Sequence, residues 1–192
     1  IQSNHVVRAY GVGTFPTGQL YVVMELLNGE TLEHLIKRDG PIPWERAATM
    51  ALQICSGLIA GHKRGIFHRD VKPQNCMRVD LDDNVDHVKL IDFGLARDMN
   101  NGEAGVTQEG IILGTPEYMA PELIASRATP DARSDVYALG APMYKLLTAS
   151  AVFHEKNALD TLFQHKHTAP RPPSQVAPEL DIPGTIDAIV MR

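Results

Sequence analysis

Apolar side chains at Leu32, Leu35 and Ile36 fall on one helical face between Thr31 and Arg38, and Gly40 supplies a stop. A longer helix is predicted from Trp44 to Lys63, with Ala47, Met50, Ile54 and Leu58 on one face and Gly65 just past its end. That stripe reads as core packing. Helical patterns resume over residues 134–149 and 157–167. A proline-rich stretch from Pro170 to Pro178 follows, and a last helix starts near Thr185.

The strand signals are shorter. Residues 6–14 and 19–25 are rich in β-formers and flank Pro16-Thr17-Gly18, which predicts an antiparallel hairpin. Residues 71–79 and 87–91 flank the polar turn 80–84 and predict a second hairpin. Asp80, Asp82, Asp83 and Asp86 lack the glycine and bidentate glutamate of a calcium loop, so they read as a solvated turn. From Leu95 to Tyr118 the chain is glycine-rich and polar, with residues 100–105 its loosest part, the composition of a mobile segment. The pattern contains no internal repeat, and its mixture of hairpins and helices makes the fold class α+β.

Composition narrows the field without choosing a function. A chain of 192 residues with 44% hydrophobic and 21% charged residues can bury a proper core. A net charge of −5 offers no electrostatic reason to expect nucleic acid as a partner. No apolar run reaches the ~20 residues of a membrane span. Cys55 and Cys76 have neither metal-ligand spacing nor disulfide density, and read as reduced and buried. The chain starts without Met and stops within a predicted helix, so a fragment of a longer protein is expected.

Chemistry enters at residues 68–75, His-Arg-Asp-Val-Lys-Pro-Gln-Asn, followed seventeen residues after Asn75 by Asp92-Phe93-Gly94. Phosphoryl transfer from ATP needs a carboxylate near the acceptor hydroxyl, a cation on the transferred phosphate and oxygen ligands for magnesium. Asp70, Lys72, Asn75 and Asp92 are those residue types in a workable order. Isolated, His-Arg-Asp is a surface charge cluster and Asp-Phe-Gly a turn; their joint order and spacing argue otherwise. With residues 115–122, Thr-Pro-Glu-Tyr-Met-Ala-Pro-Glu, they make the chain resemble the eukaryotic-type serine/threonine protein kinases over nearly its whole length. His62-Lys63-Arg64-Gly65 leans toward bacterial members.

The resemblance implies a kinase-like fold: a mostly helical C-terminal lobe with a remnant β-hairpin of the small lobe. Residues 1–27 would be the end of the small lobe and the hinge, and residues 28–192 the large lobe. The catalytic loop would span 68–75 and the activation segment 92–122. Asp70 would be the base and Lys72 would neutralise the transferred phosphate. Asn75 and Asp92 would hold Mg²⁺. The hydroxyl of Thr115 would bridge Asp70 and Lys72, a pair that marks serine/threonine specificity. Met24, Glu25, Leu27 and Met77 would line the adenine site of ATP, with the hinge working through backbone groups. Phe93 would pack beneath a small-lobe helix, and Gly94 would let the backbone turn. Asp135 would brace the catalytic loop. Arg69 would meet a phosphate on the activation segment, with Thr107 as acceptor; a plain loop threonine is the competing reading. Glu122 would pair with an arginine beyond residue 192. The implied partners are protein substrates and an activating kinase, or autophosphorylation, in a cytoplasmic setting.

The chain departs from the pattern in three places. It contains no glycine-rich phosphate loop, no small-lobe lysine and no glutamate partner for that lysine. These 192 residues alone are therefore expected not to turn over ATP; phosphorylation by the isolated chain in a radiolabel assay would refute this. Pro142 falls inside a predicted helix, where it removes a hydrogen bond at a cost of ~3 kcal/mol unless the helix bends, so a kink over 138–142 is expected. Ala149 stands where glycine is common. Two other functions fit less well. Intact Asp70, Lys72, Asn75 and Asp92 argue against a pseudokinase scaffold. The segment 115–122, a peptide-docking shelf in the resemblance, argues against a small-molecule phosphotransferase.

Overall fold

A computed structural model describes residues 1–81, 84–93, 105–106, 112–125 and 131–192. The elements run β1 (Ala9–Thr14), β2 (Leu20–Met24), β3 (Gly29–Thr31), α1 (Leu32–Asp39), α2 (Trp44–His62), β4 (Cys76–Leu81) and β5 (Asn84–Leu90). Next come β6 (Gly105–Val106), β7 (Ile112–Leu113), α3 (Glu122–Ala125), α4 (Ala132–Thr148), α5 (Ala158–His167), α6 (Pro173–Val176) and α7 (Gly184–Val190). Among the described residues no helix is long and apolar enough to cross a membrane.

The helices begin where their caps allow. Thr31 accepts from the His34 amide at the start of α1, Asp131 from Arg133 at α4 and Asn157 from Leu159 at α5. Gly40 closes α1 at φ 75°, as the predicted stop requires. The apolar stripes of α1 and α2 meet α4 in one core, where Leu32, Leu35, Met50, Ile54, Leu146 and Leu147 are almost wholly buried. Each such side chain stabilises the fold by about 2 kcal/mol.

Several boundaries differ from those predicted. The first hairpin starts at Ala9, not residue 6, because the preceding segment pairs elsewhere. The Val7 amide donates to the Leu90 carbonyl at 2.8 Å, and the Leu90 amide to His5 at 2.9 Å. Pro73–Asn75 forms a 3-10 turn, so the strand expected from Val71 starts at Cys76. Gly29 opens a short further strand, β3. β3 pairs with β4, and β4 with β5, in a three-stranded antiparallel sheet. The approach is so close that a Cβ on Gly29 would lie 2.0 Å from the Arg78 carbonyl oxygen. The polar turn 80–84 also shrinks, since β4 runs to Leu81 and β5 starts at Asn84. Asp86 takes the Arg46 guanidinium at 2.6 and 2.7 Å and is not simply solvated, whereas Asp80 stays exposed, 3.1 Å from Arg78.

α4 is helical throughout Ala132–Thr148, with Pro142 inside it. Its residues Ala138, Leu139, Ala141, Met143, Tyr144, Leu146 and Leu147 are buried, and that packing outweighs one missing hydrogen bond. Ala149 closes α4 in the left-handed region at φ 56°, where a side chain is strained. Ala149→Gly is expected to stabilise the protein by about 1 kcal/mol and raise its melting temperature by about 3 °C. An unchanged or lower melting temperature would show that Ala149 carries no strain.

Candidate active site

The loop after α2 is held from beneath by one carboxylate. Asp135, 1% exposed on α4, accepts from the His68 amide and the Arg69 amide, both at 2.8 Å. His62 Nε2 lies 2.7 Å from the same carboxylate. Arg69 is left-handed at φ 65°, a conformation costing ~1 kcal/mol or more in a residue with a side chain. Two charge-assisted bonds to successive amides offset that strain. The brace expected of Asp135 is thus present, and His62 is a third partner that nothing in its sequence surroundings announced.

Lys72 is extended because Pro73 follows it, and Pro73 opens the 3-10 turn that carries Asn75 back toward Asp70. The Asn75 side-chain amide donates to the Asp70 carbonyl at 2.9 Å and to its carboxylate at 3.0 Å. Lys72 Nζ lies 2.7 Å from Asp70 Oδ2 and donates to Thr115 Oγ1 at 3.1 Å. Lys72, rather than the Thr115 hydroxyl, is therefore the centre of that group. Both Asp70 and Lys72 remain partly open to solvent. A small cavity of about 20 Å³ adjoins Asp70, Thr115 and Tyr118, room for about one water. A larger cavity of about 640 Å³ lies between α4, α5 and the end of α7, away from Asp70, Lys72, Asn75 and Asp92.

Asp92 reaches the same region by a backbone tie. The Ile91 amide donates to the Asn75 carbonyl at 3.0 Å, joining the loop 68–75 to the residue before Asp92. Asp92 is itself left-handed, at φ 58°. His68 is wholly buried; its Nε2 lies 3.0 Å from the Ile91 carbonyl, and its Nδ1 faces the Asp70 amide at 3.4 Å. A neutral imidazole protonated on Nε2 satisfies both contacts. Burial pushes its pKa below the ordinary value, against the pull of Asp135 and the Ile91 carbonyl. The ring of Phe93 packs on His68, with centroids 4.6 Å apart.

The remaining predicted residues are more scattered. Met24 is 37% exposed, Leu27 is half-buried, and Met77 lies half-buried in β4 between Thr31 and Lys89. Glu25 has a side-chain role that its sequence did not suggest: its carboxylate takes Lys89 at 2.6 Å and the Arg8 amide at 2.8 Å. Burial raises its pKa, but the Lys89 and Arg8 bonds outweigh that and hold it below the ordinary value. Glu122, expected to await an arginine, accepts from the Ser134 hydroxyl at 2.7 Å. Tyr118 is buried beside Lys145, whose Nζ lies 2.7 Å from Glu33 and 3.3 Å from the Tyr118 hydroxyl. This link from α1 through α4 to the 115–118 segment was also invisible in the sequence. Gly94 and Thr107 lie outside the described residues.

Comparison with known proteins gives the family and the fold. The family model for the protein kinase domain matches residues 1–182. The chain is 39% identical over 98% of its length to the serine/threonine-protein kinase PknB of Mycolicibacterium smegmatis, covering 30% of that protein. It is 36% identical over 94% of its length to a probable serine/threonine-protein kinase PknB of Corynebacterium glutamicum, covering 29% of it. The chain thus spans under a third of the length of these relatives. A mutant of the Mycobacterium tuberculosis PknI kinase domain, solved by crystallography, has the same fold. The TM-score is 0.70 at 21% identity, over 99% of this chain and 64% of that one. With the loop 68–75 tied to Asp135, Lys72 between Asp70 and Thr115, and a family match over most of its residues, this chain belongs to the protein kinase domain family.

Proposed function

We propose that the protein carrying this chain is an ATP-dependent serine/threonine protein kinase. The observation that supports this most is Lys72 within hydrogen-bond reach of both the Asp70 carboxylate and the Thr115 hydroxyl. In this reading the substrate hydroxyl oxygen bonds to the γ-phosphorus of ATP, and the bond to the β,γ-bridging oxygen breaks to release ADP. Asp70 takes the hydroxyl proton, and Lys72 offsets charge on the transferred group. Thr115 holds the ammonium in line with the acceptor side.

The donor set suits magnesium. Asn75 uses its side-chain nitrogen on Asp70, which leaves the amide oxygen available, and Asp92 adds a carboxylate. Bound Mg²⁺ would neutralise charge on the phosphates. The Glu25 amide is spent on the Arg8 carbonyl at 2.9 Å, so the Glu25 carbonyl and the Leu27 amide are the hinge groups for the adenine edge. Met24 and Met77 supply its apolar flanks. In the same reading residues 1–27 are the end of the small lobe and the hinge, residues 28–192 the large lobe. Arg69 and a phosphate on Thr107 form the regulatory contact, and the protein acts on cytoplasmic protein substrates.

The deciding experiment supplies full-length protein with radiolabelled Mg-ATP, a mixture of protein substrates and candidate small-molecule acceptors, with an Asp70→Asn control. Labelled serine and threonine in protein, lost in the control, is the expected result. Label only in a small molecule, or none at all, overturns the proposal.

A further inference from the structure

Gly61 lies in the last turn of α2, and its missing side chain shapes the site from behind. A Cβ built there would lie 2.6 Å from Cε1 and 3.1 Å from Cζ of Phe93, and 2.9 Å from the Ile66 carbonyl oxygen. Packed side chains do not approach so closely, so the edge of the Phe93 ring occupies space that any other residue at 61 would fill. The ring also packs on His68, with centroids 4.6 Å apart. His68 is fixed in turn, by the Ile91 carbonyl at Nε2 and by Asp135 at its amide. Phe93, 8% exposed, thus sits in a slot with one wall of imidazole and one wall of bare helix backbone.

The slot matters because of the residue before it. Asp92 is left-handed at φ 58°, a conformation that a residue with a side chain keeps only when its surroundings over-determine it. On its N-terminal side the chain is pinned by the Ile91 amide on the Asn75 carbonyl. On its C-terminal side the seated Phe93 ring is the fixed point. We infer that Gly61 is a positioning residue for the Mg-nucleotide site: by admitting the Phe93 ring into α2, it holds Asp92 in the strained conformation that aims its carboxylate. The inference deepens the proposed kinase function and rests on it for the identity of the ligand.

Adding a methyl group at 61 expels the ring and leaves Asp92 free to relax. The strain involved corresponds to roughly tenfold or greater depopulation of the competent conformer, and apparent affinity falls by the same factor. The test is a double-mutant cycle in the full-length protein: wild type, Gly61→Ala, Phe93→Leu and the pair together. Leucine lacks both ring atoms that crowd position 61, whereas the Ile66 conflict is common to both backgrounds and cancels in the comparison. Two quantities are read, the dissociation constant for Mg-ATP by calorimetry and the melting temperature.

Gly61→Ala is expected to weaken Mg-ATP binding roughly tenfold in the wild-type background and far less in the Phe93→Leu background. Equal weakening in both, or none in either, overturns the inference. Should Gly61→Ala fail to fold while the pair folds and binds as Phe93→Leu does, the slot is confirmed. Should neither fold, the Ile66 carbonyl rather than Phe93 explains the glycine, and the inference falls. If the wild type itself binds no Mg-ATP, the kinase reading fails. The slot is then still judged by whether Phe93→Leu restores the melting temperature lost on Gly61→Ala.

Discussion

Asp70→Asn in the full-length protein is expected to lower kcat for phosphorylation by roughly 10²–10⁴-fold, a barrier increase of about 3–5 kcal/mol. The substitution is nearly isosteric, so the site should survive it. The Asn75 side chain donates to Asp70 at both its carbonyl and its carboxylate, and an amide oxygen can accept the second bond as well. What disappears is the ability to take a proton and the charge that holds Lys72 Nζ at 2.7 Å. The effect should therefore appear in kcat while the KM for ATP stays close to wild type, since no ATP contact is assigned to Asp70. Steady-state kinetics at saturating acceptor would measure it. A variant that keeps its kcat would remove Asp70 from the reaction.

Asp135→Asn should be the more damaging change to the fold. The carboxylate is buried and receives two amides and an imidazole, so all its capacity is directed at donors. An amide brings its own NH₂ into that shell, sets donor against donor, and deletes the buried charge. Breaking such a network costs on the order of 3 kcal/mol, which for a domain of this size lowers the melting temperature by roughly 10 °C. Arg69 at φ 65° would lose the bond that keeps it left-handed, and the loop bearing Asp70 would shift with it. Thermal melting and kcat should therefore fall together. A variant that melts like the wild type would show that the loop is held by something else.

These two expectations differ in how far the sequence foresaw them. Asp70 is recognisable from the order His-Arg-Asp-x-Lys-x-x-Asn because phosphoryl transfer requires those groups near one another, and a short loop keeps them so. Asp135 lies far along the chain from that loop and was linked to it only through resemblance. Its contact with His62 was not foreseen at all, because it joins two helices whose relative rotation follows from how their apolar faces pack. Lys89 with Glu25, and Lys145 with Glu33, are the same kind of contact: pairs chosen by tertiary proximity between elements that carry no mutual signal.

Boundaries show the same division. The stripes of α1 and α2 were legible to within a residue or two because helical periodicity is a local property repeated over several turns. Gly29–Thr31 was missed as a strand because three residues cannot display an alternation, and only the backbone of β4 turns them into one. Residues 5–7 have strand character, but their partner is β5, more than eighty positions away. Pro142 shows the other side of this: its local cost is real, yet a helix buried along most of its length continues through it.

By itself, the sequence determined the family and the helical core: Asp70, Lys72, Asn75 and Asp92 mark the family by type and order, and the helix faces follow from their period. Both are local, and local patterns survive in one dimension. The tertiary structure alone decided that Lys72 stands between Asp70 and Thr115, that Asp135 and His62 share one buried charge, and that Phe93 lies against a glycine of α2. Each of these depends on distances between segments remote in sequence. Such distances are set by close packing of whole surfaces, a property that no single stretch of residues carries.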